Sequence, residues 1–133
     1  MTEDLPTRGQ LERRISQEIQ AFYRYHLGHQ PSKVTCQFFS EKLAIVIEDS
    51  VTSTEQILLD DGQHKLVEEV RFNLDNMIQP QLKKLVEEIT KLQIVDILHD
   101  ITLKTGCTGI IMIFTDSPRV KNPRSIPKLK RIK

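Results

Sequence analysis

The stretch KVTCQFFSEKLAIVI, residues 33–47, decides the fold because it contains two strand patterns separated by a short polar turn. Val34, Cys36 and Phe38 alternate with polar residues, which is typical of a strand buried on one face. The turn SEK follows, and residues 43–47 are apolar without interruption. The stretch therefore predicts a β-hairpin and, with it, an antiparallel sheet.

Helical patterns lie on both sides of this hairpin. Thr7 and Gln10 form a capping box before an apolar repeat of helical period, and Gly28 is placed to end that helix. A second capping box, Thr52 with Glu55, begins a short helix that ends near residue 60. These signals predict one helix before the hairpin and one directly after it.

A long amphipathic helix is predicted next. Its apolar stripe consists of Leu66, Val67, Val70, Leu74, Met77, Ile78, Leu82, Leu85, Val86 and Ile89. Pro80 interrupts the pattern, so either the helix kinks there or two helices abut.

A second hairpin completes the order of elements. Residues 95–103 alternate apolar and polar, residues 104–109 include two glycines, and residues 110–114 are apolar throughout. The predicted order is α-β-β-α-α-β-β. This order predicts an α+β domain with a mainly antiparallel four-stranded sheet and helices packed on one face.

Charge divides the chain into a body and a tail. Residues 1–116 hold all 18 acidic residues and 12 of the 19 basic ones, whereas residues 117–133 hold seven basic residues and no acid. We expect a flexible N-terminus over residues 1–6, one domain over residues 7–116 and a disordered basic tail over residues 117–133.

The tail is the best candidate for binding an anionic partner. Its cations suit nucleic-acid phosphates or an anionic membrane surface, although it lacks the aromatic residues that stack on bases. A tail that only aids solubility or folds back on the acidic body is an equally good interpretation. The candidate binding residues are Arg119, Lys121, Arg124, Lys128, Lys130, Arg131 and Lys133.

The compartment expected from the sequence is the cytoplasm. No apolar run approaches the roughly 18 residues that span a bilayer. The N-terminal residues do not resemble a signal peptide. Cys36 and Cys107 form no close pair, so we expect free, buried thiols.

No set of residues has the pattern of a catalytic, cofactor or metal site, so we expect a protein that is not an enzyme. His26 and His29 have a metal-like spacing but lack further ligands, which favours surface or capping histidines. His99 is predicted on the inner face of its strand, where Asp100 is the neighbouring carboxylate.

A possible ligand site therefore comprises His99, Asp100, Lys104 and Thr105, although a structural histidine and a tight turn are the simpler interpretations. The residue types of a phosphate loop occur at residues 104–109, but the full pattern does not.

The sequence also predicts a homodimer. The strands at residues 43–47 and 110–114 are apolar on both faces, and one helical layer covers only one face of a sheet. A second subunit would cover the other, with the sheet or the long helix at the interface. The alternative is a three-layer monomer with the first helix and the long helix on opposite faces.

Several motifs resemble the MpsC-like family, which is named after a component of a sodium-linked membrane-potential-generating system. They are GQLE at residues 9–12, FYR at residues 22–24 followed by Gly28 and Pro31, residues 70–80, and HDITLKTG at residues 99–106. The resemblance implies a cytosolic accessory or regulatory protein that binds another protein. It implies a place beside membrane proteins that handle sodium or inorganic carbon, peripheral to the inner face of a membrane.

Overall fold

The computed structural model describes residues 4–128, and its elements have the predicted order. Lys130, Arg131 and Lys133 lie outside the described residues, as do residues 1–3. The elements are α1 (Arg8–Leu27), β1 (Lys33–Phe39), β2 (Lys42–Glu48), α2 (Ser53–Asp60), α3 (His64–Thr90), β3 (Ile94–Thr102) and β4 (Cys107–Phe114), followed by a 3-10 turn, Pro123–Ser125.

The four strands form one antiparallel sheet in the order β1-β2-β4-β3. Cys36 pairs with Ile45, Ile45 with Ile110, and Ile110 with His99, which gives one continuous row across the sheet. The two hairpins therefore meet through β2 and β4. The predicted α+β class, element order and antiparallel sheet are confirmed.

Both long helices cover the same face of the sheet, which we call the inner face. Buried residues of α1 and α3 belong to one core cluster with buried residues of all four strands, and these strand residues share the inner face. The domain over residues 4–128 therefore has two layers. The three-layer alternative is wrong for the described chain.

Capping and carboxylate contacts fix α1 against β1. The Thr7 hydroxyl accepts a hydrogen bond from the Gln10 amide at 3.1 Å, as the capping box predicts. Gly28 adopts a left-handed conformation with φ of 64° and ends the helix. Glu12 reaches from α1 to accept a hydrogen bond from the backbone amide of Phe38 at 2.8 Å. This contact sets the height of α1 along the sheet.

The apolar stripe of α3 differs from the predicted one in the first half of the helix. Val67 and Ile78 are buried, but Leu66, Val70 and Met77 are 39–69% exposed. The residue that continues the buried stripe between them is Arg71, a charged residue that a hydrophobic pattern does not select. The helix runs through Pro80 as one element, which resolves the alternative of two abutting helices.

The second hairpin differs from the prediction in its bounds and in one irregularity. The turn is shorter than expected, because β4 already begins at Cys107. A bulge between Ile94 and Asp96 leaves Val95 without a partner in the ladder and 59% exposed. The predicted alternation therefore holds only from Asp96 onward.

The expectation of a disordered tail from residue 117 is wrong for residues 117–128. Val120 and Ile126 are only 2% and 4% exposed and belong to the core cluster. The amide of Lys121 donates to the Pro6 carbonyl at 2.9 Å, and the amide of Ser40 donates to the Pro127 carbonyl at 2.7 Å. Two isolated apolar residues therefore suffice to dock this segment, although its overall composition predicts disorder.

We predict that Ile126→Ala lowers the free energy of unfolding by about 2–4 kcal/mol, because it removes a buried side chain and leaves a cavity. The matched control is Ile57→Ala, whose side chain is 69% exposed. The control is expected to change stability by less than about 0.5 kcal/mol. Urea unfolding measures both, and equal effects of the two substitutions would contradict the docked tail.

Candidate functional site

A cavity of about 910 Å³ lies between α2, the first half of α3 and the edge strand β3. His99, Asp100 and Lys104, three of the four residues predicted for a ligand site, line it. The helices contribute further polar residues, among them Arg71 and Asp75. The sequence therefore predicted the residues that β3 and the turn after it contribute to the site. The residues of α2 and α3 join them only in the folded chain.

A buried ionic cluster forms part of this cavity's lining. The guanidinium of Arg71 is 1% exposed and lies 3.0 Å from a carboxylate oxygen of Glu55, which is 5% exposed. Arg71 Nε donates to Asp75 at 3.2 Å, and Nη1 donates to the Ser50 carbonyl at 2.9 Å. One charged side chain thus connects α2, α3 and the loop that follows β2.

His99 extends the cluster to the sheet. Its strand position opposite Ile110 places it on the inner face, as predicted, and its side chain is 4% exposed. Its Nε2 lies 3.8 Å from Asp75 Oδ2, and neither ring nitrogen has a hydrogen-bond partner among residues 4–128. The carboxylate that faces His99 is therefore Asp75. Asp100 follows it on the strand and so takes the opposite face.

Burial shifts the ionisation of the cluster in opposite directions for acid and base. Loss of water lowers the pKa of His99, with the charge of Asp75 acting against that shift. Loss of water also raises the pKa of Asp75, against the effect of Arg71. Burial raises the pKa of Tyr23 to about 12, with Arg71 again opposing. His99 is accordingly neutral near pH 7.

The other candidate residues are not brought into the cavity. Thr105 sits in the β3–β4 turn, where its hydroxyl contacts that of Thr102, and it does not line the cavity. None of the described tail cations lines it either: Arg119, Lys121, Arg124 and Lys128. The side chain of Lys121 instead lies 3.7 Å from Asp4.

The histidines with metal-like spacing have separate surroundings. His29 Nε2 contacts the backbone carbonyl of Asp49 at 2.7 Å, and the ring of His26 packs on Phe22 with centroids 4.2 Å apart. Among residues 4–128, no group of three or more histidine, cysteine or acidic side chains is placed to hold a metal ion.

Sequence reasoning missed three members of the ionic cluster: Glu55, Arg71 and Asp75. Glu55 was assigned only its capping role, which it also fulfils, since it accepts from the Thr52 amide at 3.0 Å. The available signal was the spacing of α3, because Arg71 stands four residues after the buried Val67 and four before Asp75. Its burial depends on Glu55, which is distant in sequence.

We predict that Arg71→Met lowers the free energy of unfolding by about 3–5 kcal/mol, because it leaves Glu55 buried without its cation. The double variant Arg71→Met, Glu55→Gln is expected to recover part of that loss. Arg14→Met is the control, since Arg14 is 62% exposed in its contact with Glu18, and it should cost less than about 0.5 kcal/mol. Urea unfolding distinguishes these outcomes. A single variant as stable as the control would contradict a structural role for the pair.

Comparison with known proteins identifies the family. Residues 7–116 match the family model described as the Na⁺-translocating membrane potential-generating system (MpsC). No curated protein and no solved structure matches the chain. The family match spans every helix and strand named above except the 3-10 turn, and it includes the ionic cluster and the cavity. The resemblance found in the sequence is thereby confirmed, and the chain belongs to the MpsC family.

Proposed function

We propose that this chain is a non-enzymatic accessory and regulatory module that binds another protein beside membrane proteins handling sodium or inorganic carbon. The family description supplies the link to Na⁺ translocation. None of the helices within residues 4–128 is long and apolar enough to cross a membrane. The proposal places the protein on the cytoplasmic side, peripheral to the membrane. The observation that carries it is the presence of two apolar surfaces without a partner in the described chain.

The first surface is the outer face of the sheet, opposite the helices. Its central rows contain Ala44, Val46, Leu98, Ile111 and Ile113. Leu98 is 58% exposed and Val46 41% exposed. Four strands of this length present a face of about 20 Å by 25 Å. The centre of this face is aliphatic and its margins are polar, as is typical of an interaction surface.

The second surface is the outer α3 stripe, formed by Leu66, Val70 and Met77. These residues repeat at helical spacing on one side of α3, and Met77 is 69% exposed. The stripe belongs to the helical layer, so the two surfaces lie in different layers of the domain. One molecule can therefore bind a second copy through one surface and another protein through the other.

A second copy suits the outer sheet face because the face is divided by charge. Lys33, Lys42 and Glu48 lie on β1 and β2, and Asp96 and Asp100 lie on β3 at the opposite edge, so the first half has a net charge of +1 and the second of −2. A two-fold axis parallel to the strands lays the basic half of one subunit over the acidic half of the other. The aliphatic centres then meet in an isologous interface.

We predict that the protein is a homodimer and that Leu98→Glu makes it monomeric, because the substitution buries a charge in the aliphatic row that Leu98 shares with Ile111 and Ala44. Light scattering coupled to size exclusion measures the mass. Met77→Glu is the matched control, since it adds the same charge to the other surface and should leave the dimer intact. A wild-type mass equal to one chain at all concentrations would contradict the dimer.

We predict that the double variant Val70→Glu, Met77→Glu loses capture of a membrane protein from detergent-solubilised membranes. The wild-type chain and Leu98→Glu serve as controls, and mass spectrometry compares the captured proteins. Retention of the same partners by all three proteins would exclude the outer α3 stripe as the docking surface.

The alternative function, binding of a nucleic-acid backbone through the basic tail, is resolved by the same experiment. It predicts that RNA or ribosomes are the captured material and that capture weakens steeply with salt. A chain that captured only these would contradict the accessory role.

A further inference from the structure

The cavity between α2, α3 and β3 has the size and construction of a small-molecule site. Its volume of about 910 Å³ lies within the range of ligand pockets. Leu59, Phe72 and Ile101 provide apolar walls around the polar residues. Phe72 is 67% exposed, so its ring is available to a ligand at the rim.

The charge of the lining is negative. Among the described residues, three carboxylates of the helices line the cavity, those of Asp60, Glu68 and Asp75, against two permanent cations, Arg71 and Lys104. Asp100 borders the cavity from the edge strand, with its side chain on the outer face. Arg71 is already paired with Glu55 and Asp75 at 3.0 and 3.2 Å. An anionic ligand would have to compete with these buried partners, whereas a cation would meet Asp75 Oδ2, the oxygen that Arg71 does not use, together with Asp60 and Glu68.

His99 supplies an independent indication of a ligand. It lines the cavity, its side chain is only 4% exposed, and neither ring nitrogen has a hydrogen-bond partner within residues 4–128. Buried polar groups are rarely left without a hydrogen bond, so a hydrogen-bonding group of a ligand is expected beside the ring.

Two hydrogen-bond acceptors lie close together beside the ring: Asp75 Oδ2 and one ring nitrogen of His99. Asp75 Oδ1 already accepts from Arg71, while Asp75 Oδ2 lies 3.8 Å from His99 Nε2, beyond hydrogen-bond distance. A neutral imidazole offers one nitrogen as an acceptor. An ammonium nitrogen about 2.9 Å from each acceptor spans that separation with two of its N–H groups.

We propose that the cavity binds a small organic cation, an ammonium or guanidinium group on an apolar body, with Asp75 and His99 as its polar anchors. The apolar body packs on Phe72 and Ile101. A ligand at this position also contacts the junction of α2, α3 and β3, where it can regulate the proposed protein binding. The ligand site itself does not depend on that proposed function.

The sign of the pH dependence follows from the groups that face the site. Asp75, Arg71 and Asp100 act on His99, and Arg71, His99 and Glu55 act on Asp75. A cation binds best when His99 is neutral and Asp75 is ionised. Its affinity therefore falls as pH decreases through the pKa of either group, whereas the affinity of an anion would rise as His99 gains a proton.

The test uses three compounds with the same body: 3-phenylpropylamine, 3-phenylpropanol and 3-phenylpropanoate. Each is titrated into the full ¹⁵N-labelled chain at pH 7.5 and 5.5 and followed by amide chemical shifts. We expect the amine to bind at least about tenfold more tightly than the alcohol or the carboxylate at pH 7.5. Its affinity should be weaker at pH 5.5, and the shifts should lie around Phe72 and His99.

Three variants locate the binding group. Asp75→Asn should weaken the amine at least about tenfold. His99→Phe leaves the Arg71 contacts in place and should weaken it several-fold, so it replaces the first variant if that one unfolds. Glu88→Gln removes one charge from the same helix outside the cavity and should leave affinity unchanged.

Three results would overturn the proposal. The first is equal or tighter binding of the alcohol or the carboxylate. The second is the absence of saturable shifts at the cavity with the amine up to about 10 mM, a range that includes fragment-sized affinities. The third is unchanged affinity in both Asp75→Asn and His99→Phe.

Discussion

Arg71 donates from inside the domain to Glu55, Asp75 and the carbonyl of Ser50, and the arrangement of three elements depends on these contacts. A cation this deeply buried is costly unless its partners surround it. Ser50 carries the connection further, because its hydroxyl contacts Thr108 at 2.8 Å. The position of α2 against α3 is therefore set by directional hydrogen bonds between charged groups.

The cluster also explains why the cavity has the composition that it has. The guanidinium of Arg71 contacts one carboxylate on each helix, Glu55 on α2 and Asp75 on α3. One of these, Asp75, remains accessible at 14% and faces His99. Oδ1 of Asp75 thus holds the fold through Arg71, while Oδ2 remains available on the side of His99.

The sequence predicted the fold well because its signals are local. Capping at Thr7, the left-handed stop at Gly28 and the alternation around Cys36 each act within a few residues, and the structure confirms them. Strand order and the use of one sheet face by both helices depend on packing across the chain. The choice between two and three layers therefore could not be made from periodicity.

The site was predicted in part for a related reason. His99 and Lys104 stood out because they lie in one continuous motif, and both line the cavity. The structural roles of Glu55 and Arg71 depend on their contact with each other, and the two residues are 16 positions apart in different helices. The docked segment after residue 117 was missed because composition averages over residues, whereas two buried side chains decide whether a segment packs.

The place of β4 in the sheet has a consequence for how the chain is made. This strand lies between β2 and β3 and is the last of the four to leave the ribosome. Until it emerges, β2 carries an unpaired edge and the helices have only half a sheet to cover. The paired residues of β2 and β4 are separated by about 60 to 70 residues of sequence, a class of contact that forms slowly. The native core can therefore close only after β4 has been made, and until then the chain exposes apolar surface and an unpaired strand edge that favour aggregation.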